Sequence, residues 1–362
     1  MMVFVRIDEV YVRGNGLYLP PRLLVADAIA SGECEPKLVA RTDVISVAVS
    51  PAESSAEMAV GAALVALDRA DAGPDEIDLI LHADTYYQGQ DLWPVGSYIQ
   101  RETVRNNCLA LEIRQMSNGG MAGLDIAAAY LAARPALSDV LLTTADRFCL
   151  PGIDRWRTDP GTPYADGATA IVLSRRGGYA RLVSLAVTAD SELEQLHRGD
   201  EPFGLAPFSH RMPVDFETAK NAFARRYGLS YGINRANAGQ AAVIEEALSD
   251  ADMKLGDAEW VVLPHFGRRR LDVNYLRPYG IDPARTTWEW SRTVGHLGAG
   301  DQFAGLSHLV DTGRLRPGQR CVLIGVGAGY SWGCAVVEMT GTPDWCRADA
   351  GFTSRAPGAI AG

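Results

Sequence analysis

The residue that raises the question of chemistry is Ser117, in "RQMSNGGMAG", followed by a small-residue run of helical character. A serine there is either a nucleophile at a helix start or only a cap, since Ser followed by Asn and Gly is ordinary capping and turn chemistry. As a nucleophile it needs help, because a serine hydroxyl is far less acidic than a thiol and requires a positioned base. Other chemistries find less support. The glycine run 325–329, "GVGAG", lacks the Lys-Ser/Thr ending of a phosphate loop, so nucleotide binding is not expected. The six cysteines form no CxxC pair or zinc-like spacing, so no metal site is expected.

The bulk numbers narrow the class. The 362 residues are enough for a large core, and 47% hydrophobic with 22% charged residues is ordinary for a globular protein. A net charge of −10 argues against nucleic-acid binding. The sparse cysteines point to a reducing compartment. The N-terminal "MMVFVRIDEVYVRGNGLYLPP" alternates like a strand and lacks a signal-peptide h-region. No apolar run is long enough to span a membrane. A cytoplasmic protein is the expectation.

The elements around Ser117 repeat one plan. A helix over 55–71 precedes a strand, "LILHA", and a helix over 239–252 precedes a strand over 260–265; both helices carry the kernel "AL-x-x-AD", at 66–71 and 247–252. Leu124, Ala127, Ala128 and Leu131 mark one helix face, followed by strands over 139–145 and 166–174. In the second half a helix over 301–315 precedes strands over 320–329 and 332–339. The pattern predicts a duplication, with halves at 1–178 and 179–340 and a flexible tail at 341–362.

Two such halves, with a nucleophile-like residue entering a helix in the first, resemble the thiolase fold: α/β, duplicated halves, a five-layered αβαβα architecture. "GNGLYLPPRLL" (14–24), "SAEMAVGAALVALDRADAGPDEIDLIL" (55–81), "DGATAIVL" (166–173) and above all "GVGAGYSWGCAVV" (325–337) resemble the β-ketoacyl-acyl-carrier-protein synthase III family. That family's catalytic set is Cys, His and Asn. Its cysteine position falls on Ser117, with Gly119 and Leu124 completing the motif; its histidine falls on His265; its asparagine falls on His296. A subset from antibiotic pathways resembles this chain more closely, with a nucleophile–His–Asp set that maps onto Ser117, His296 and Asp301. A serine nucleophile with this set most resembles the starter-unit synthases of anthracycline (daunorubicin-type) pathways.

The resemblance implies a definite chemistry. His296 supplies the base that a serine needs, and Asp301 orients it. The backbone N–H groups of Ser117 and Ala328 form an oxyanion hole. Trp93, in a loop that lies at the dimer interface in the family, shortens the acyl pocket of a homodimer partner. Arg155, Trp156 and Arg157 lie where the family contacts the CoA nucleotide. Arg268, Arg269 and Arg270 form a basic rim for an acidic acyl carrier protein. The expected substrate is a short acyl-CoA, propionyl or acetyl, with no permanently bound cofactor. The acyl group on Ser117 then condenses with malonyl-carrier protein after decarboxylation, or moves to a hydroxyl, amine or carrier thiol without condensation; a third reading is an inert partner subunit.

Several residues admit a plainer role. Asp301 can simply cap a helix at 302–313. His265 is either a second catalytic imidazole or a satisfied core histidine. His197 lies on a loop between the halves, within possible reach of the pocket. His82, His210 and His308 read as structural or surface residues. Trp93 can be an ordinary interface aromatic, and the arginine run a solvated charge cluster.

Overall fold

The computed structural model describes residues 9–40, 42–206 and 212–348. The strands are β1 (Tyr11–Tyr18), β2 (Arg22–Leu24), β3 (Ser46–Ala48), β4 (Ile77–Ala83), β5 (Leu109–Ile113), β6 (Asp139–Asp146), β7 (Gly167–Ser174), β8 (Ala180–Ala189), β9 (Trp260–Val262), β10 (Arg320–Gly327) and β11 (Ser331–Met339). Among the described residues β2 pairs only with β3, and the other strands form one sheet in the order β5-β4-β6-β7-β1-β8-β11-β10-β9. The β4–β5, β4–β6 and β9–β10 pairs are parallel and the rest antiparallel. The β1–β8 seam is thin, with only Tyr11 opposite Arg181 and Val12 opposite Ala180, so the sheet can bend there.

Strand alternation builds the layers. In β4, Leu79 and Leu81 face a core shared with the 119–133 and 301–311 helices, while Ile80 faces the 55–69 helix. In β10, Leu323 faces that same central core, while Val322 and Ile324 face the 229–250 helix. Successive side chains point to opposite faces of a strand, so apolar runs such as β6, buried along its whole length, are covered on both sides. The result is helix, sheet, central helix pair, sheet, helix: the expected α/β thiolase-type layering.

Small residues set how closely the layers approach. The 55–69 helix starts at a capping box: Ser54 Oγ accepts from the Glu57 N–H, and the Ser54 N–H donates to the Glu57 carboxylate. It buries Ala59, Ala62, Ala63 and Ala66 against β1. A Cβ at Gly16 would lie 2.0 Å from the Ala62 carbonyl oxygen, and one at Gly14 2.3 Å from that of Ala66. "GNG" in β1 is therefore a packing requirement.

Some boundaries differ from the sequence reading. The second-half helix begins at Leu229, ten residues before position 239. The strand expected over 260–265 ends at Val262, just before Pro264, which has no N–H to donate. The helix expected to reach 315 stops at Asp311, and Gly313 turns the chain at φ +65°. His197 sits on a short helix, Gln195–Arg198, not on a loop. Asp344–Ala348 is helical, and Trp345 packs edge-on against Tyr179 and donates from its indole N–H to Asp311. The first part of the expected flexible tail is thus docked. Residues 349–362, the first eight residues of the expected N-terminal strand, and His210 lie outside the described residues.

Candidate active site

Ser117 lies in the tight turn Met116–Asn118, just before the 119–133 helix. Met116 is held at φ +51°, a left-handed conformation that costs energy for a residue with a Cβ. The turn is wedged against the glycine-rich strands. A Cβ at Gly327 would lie 2.5 Å from the Gln115 carbonyl oxygen, and one at Gly333 2.7 Å from Met121 Cβ. A Cβ at Gly120 would come within 2.5 Å of the Ala299 carbonyl oxygen. The signature "GVGAGYSWG" thus lets β10 and β11 press on the Ser117 turn.

Ser117 Oγ lies 2.9 Å from His296 Nε2, and His296 Nδ1 lies 2.6 Å from Asp301 Oδ2. An ionised carboxylate only accepts, so Nδ1 carries the proton and Nε2 is left to accept from the serine hydroxyl. The His296 ring is surrounded by Phe148, Tyr164 and Phe266, with centroids 6.5, 5.6 and 5.5 Å away. Its backbone is pinned on both sides: its N–H donates to the Pro163 carbonyl, and its carbonyl accepts from Ala165 N–H.

Asp301 is 1% exposed. Its Oδ2 also accepts from the His265 N–H at 2.7 Å, and its Oδ1 from the Leu297 N–H at 2.8 Å. Burial pushes its carboxyl up, but the adjoining imidazoles of His265 and His296 and these hydrogen bonds outweigh it and hold the group below its ordinary value. Asp301 is not the helix cap. It is the first residue of its helix, Gly300 stands at the cap position, and its carboxylate turns back to the histidines.

His265 lies behind Asp301, with its Nε2 enclosed and without a hydrogen-bond partner among the described residues. Its Nδ1 donates to the Gly295 carbonyl at 2.9 Å, its ring meets Trp290 edge-on, and it is absent from the lining of the cavity that contains Ser117. Burial lowers its pKa, opposed by the adjoining Asp301 carboxylate. His82 is likewise buried, between Thr143 and Gln88, and His308 stacks on Trp290.

The loop "GHLGAGD" is braced from below by Asp146, at the end of β6. Its Oδ1 accepts from the Thr85 and Tyr86 N–H groups, each at 2.8 Å, and its Oδ2 faces the Ala299 N–H at 3.4 Å. Gly298 passes over this carboxyl at φ +62°. Burial and the neighbouring Asp84 raise Asp146 to about 7.

Ser117 and His296 open into a cavity of about 520 Å³, which Ala328 and His197 also line. Three further lining residues carry charge: Asp159, Lys220 and Arg270. Of the arginine run only Arg270 turns inward, where its guanidinium grips Asp159. Arg268 pairs with Asp272, and Arg269 is exposed. The expected CoA contacts at 155–157 are not presented to the cavity. Arg155 spends its guanidinium on Asp166 and on the Phe148 and Tyr164 carbonyls; Trp156 is buried; Arg157 pairs with Asp154 and Glu35 at the surface. Trp93 packs against Tyr98, away from this chain's own cavity. Asp159 and Lys220 carried no sequence signal, because they come from a loop and a helix that meet only in three dimensions. No group of side chains suited to a metal ion occurs among the described residues, and no helix there is long and apolar enough to cross a membrane.

Known proteins share this arrangement of chain and fold. The family model for the 3-oxoacyl-[acyl-carrier-protein] synthase III C terminal matches residues 248–339. The β-ketoacyl-[acyl-carrier-protein] synthase III of Paramagnetospirillum magneticum is 26% identical over 337 residues, covering 90% of this chain and 98% of its own. That of Rhodospirillum centenum is 27% identical over 340 residues, with 90% and 98% covered. Among solved structures, ChlB3, described as an acyltransferase, superposes with a TM-score of 0.89 at 34% identity over 93% of this chain and all of its own. The Aquifex aeolicus 3-oxoacyl-[acyl-carrier-protein] synthase III shares the fold, with a TM-score of 0.74 at 20% identity over 91% of this chain and 99% of its own. The chain, with its Ser117 turn pressed against a glycine-rich strand pair, belongs to the β-ketoacyl-[acyl-carrier-protein] synthase III family of thiolase-fold, acyl-transferring enzymes.

Proposed function

We propose that the protein is an acyltransferase that works through an acyl-Ser117 oxyester and passes the acyl group to a hydroxyl, amine or carrier thiol without forming a carbon–carbon bond. The observation that carries this is the continuous hydrogen-bonded chain Ser117–His296–Asp301. His296 Nε2 takes the Ser117 proton as Oγ attacks the thioester carbonyl of an acyl-CoA or acyl-carrier protein. Asp301 stabilises the resulting imidazolium. The Ser117 and Ala328 amides receive the oxyanion, in a loop where glycines let the backbone come close. The C–S bond breaks, and the leaving thiolate takes the proton from His296. The acceptor then attacks the oxyester by the same steps in reverse, and Ser117 regains its proton.

The alternative is decarboxylative condensation with malonyl-carrier protein in a polyketide starter-unit role. The naming of the relatives as β-ketoacyl synthases favours it. Against it, the paired imidazoles that the enolate would need are not both available, because His265 does not line the cavity. In either reading the partners are acyl-CoA and an acyl carrier protein, in a cytoplasmic homodimer whose Trp93 reaches the partner's pocket.

Intact-mass spectrometry after incubation with propionyl-CoA tests the first step: an adduct is expected in the native protein and none in Ser117→Ala. Malonyl-carrier protein and a hydroxyl acceptor are then offered together. Transfer without a β-keto extension supports the proposal, an extended product supports condensation, and no adduct overturns both.

A further inference from the structure

The cavity that holds Ser117 is aromatic around His296 but charged elsewhere. Lys220, on the Phe216–Tyr227 helix, donates from Nζ to Asp159 Oδ1 at 2.6 Å. Arg270 meets the same carboxylate at 2.7 and 3.2 Å. Two cations thus share one anion, and the wall keeps a net positive charge.

The two cations are not equally occupied. Arg270 Nη1 also donates to the Thr162 hydroxyl, and its Nη2 to the Pro160 carbonyl at 3.1 Å, so the protein itself uses both ends of its fork. Lys220 has one acceptor among the described residues, and an ammonium has three donors. Beside this cluster His197 is packed edge-on against Phe216 and tilted against Tyr330, with centroids 4.8 and 5.2 Å away. Its Nδ1 is enclosed and has no hydrogen-bond partner. Lys220 and His197 both line the cavity that holds Ser117, and an ammonium with open donors is costly to leave unmatched in a partly desolvated site.

We infer that Lys220 and His197 form a subsite for a carboxylate carried by the molecule in the cavity, either on the acyl group or on its acceptor. The assignment rests on the acyl-transfer reading for the meaning of donor and acceptor, but the binding itself does not. Lys220 gives the carboxylate two N–H donors and the opposite charge. His197 Nε2–H, the ring nitrogen that is not sealed off, gives a third donor, with the enclosed Nδ1 unprotonated. Asp159 holds Lys220 in place. An uncharged isostere of the same length gains none of these charge-assisted contacts, which are worth about 10- to 100-fold in affinity.

The test is equilibrium binding to Ser117→Ala, which cannot be acylated and so reads recognition apart from catalysis. Isothermal titration compares succinyl- with butyryl-N-acetylcysteamine for the acyl source, and 3-hydroxybutyrate with butan-2-ol for the acceptor source. At least about tenfold preference for the carboxylate member of one pair is expected, lost on adding Lys220→Met and partly restored by Lys220→Arg. The pair that discriminates identifies the source. If Lys220→Met does not fold, His197→Gln is read in its place, with the same loss expected. No preference in either pair, or a preference that survives both substitutions, overturns the subsite. Failure of native protein to form an acyl adduct overturns only the transfer reading.

Discussion

Replacing Asp301 by Asn tests the catalytic chain at its buried end. The carboxylate accepts from three donors: His296 Nδ1–H and His265 N–H on Oδ2, and Leu297 N–H on Oδ1. An asparagine has one accepting oxygen. If its NH2 group replaces Oδ1, it faces the Leu297 N–H at a distance where two donors repel. If it replaces Oδ2, it faces the His265 N–H and forces His296 to carry its proton on Nε2, where it no longer accepts from Ser117. The first orientation costs about 1–3 kcal/mol of stability for a buried, unsatisfied donor. Either orientation removes the negative charge beside the developing imidazolium. Together with loss of a charge-assisted bond, that amounts to about 3–5 kcal/mol of transition-state stabilisation, a fall of about 10²- to 10⁴-fold in the acylation rate. Rapid-quench intact-mass measurement of Ser117 acylation under single-turnover conditions reads the rate, and thermal unfolding confirms that the variant is folded. A folded Asp301→Asn enzyme that acylates within threefold of the native rate would refute the assignment of Asp301 as the group that orients and stabilises His296.

Two further outcomes follow from the loop beneath the histidine. Gly298→Ala would place a Cβ 2.0 Å from Asp146 Oδ2 on a backbone at φ +62°; a loss of about 2–4 kcal/mol in denaturant unfolding, with a slower acylation step, is expected, and a native-like midpoint would show that the loop is not braced there. Asp146 itself makes a pH prediction. Its folded value is raised from 3.8 to about 7 by burial and by the facing Asp84, itself raised to about 6, so the folded state binds an extra proton between about pH 4 and 7. Its contribution to stability is therefore greatest at the acid end of that window and declines as pH rises through it, by on the order of 4 kcal/mol if fully expressed. Asp146→Asn keeps an acceptor for the Thr85 and Tyr86 amides and cannot ionise, so the difference in unfolding free energy, variant minus native, should grow from pH 5 to pH 8. A constant difference across that range would show that Asp146 does not titrate as the structure implies.

The legible part of the site was the part encoded by local motif. Ser117 before its helix, the "GHLGAGD" loop and the glycine-rich strand pair each sit on one short stretch of chain, and their resemblance to a known family singled out Ser117, His296 and Asp301, which the structure brings into one hydrogen-bonded chain. Asp301 was open to a capping role because capping is a local property, and a carboxylate at a helix start satisfies that pattern equally well. The structure separates the roles through a contact with His265, thirty-six residues away in sequence. The arginine runs show the same limit: composition gives the charge of a segment, but not the carboxylates, Asp159 and Asp166, that pair with Arg270 and Arg155 from elsewhere in the chain.

The sequence by itself determined the elements and their pairing potential. Alternating and continuous apolar runs dictate strands covered on both faces, alanine and glycine stripes dictate close layers, and Ser117 must enter a helix wherever the fold places it. Only the tertiary structure decided which side chains meet. It put His296 against Ser117 and His265 behind Asp301. It also brought Lys220 and His197 into the same cavity as Ser117, because their placement depends on how the 216–227 and 229–250 helices and the loop bearing Asp159 pack together. Those contacts span long sequence separations and are set by packing among layers, which no local periodicity records.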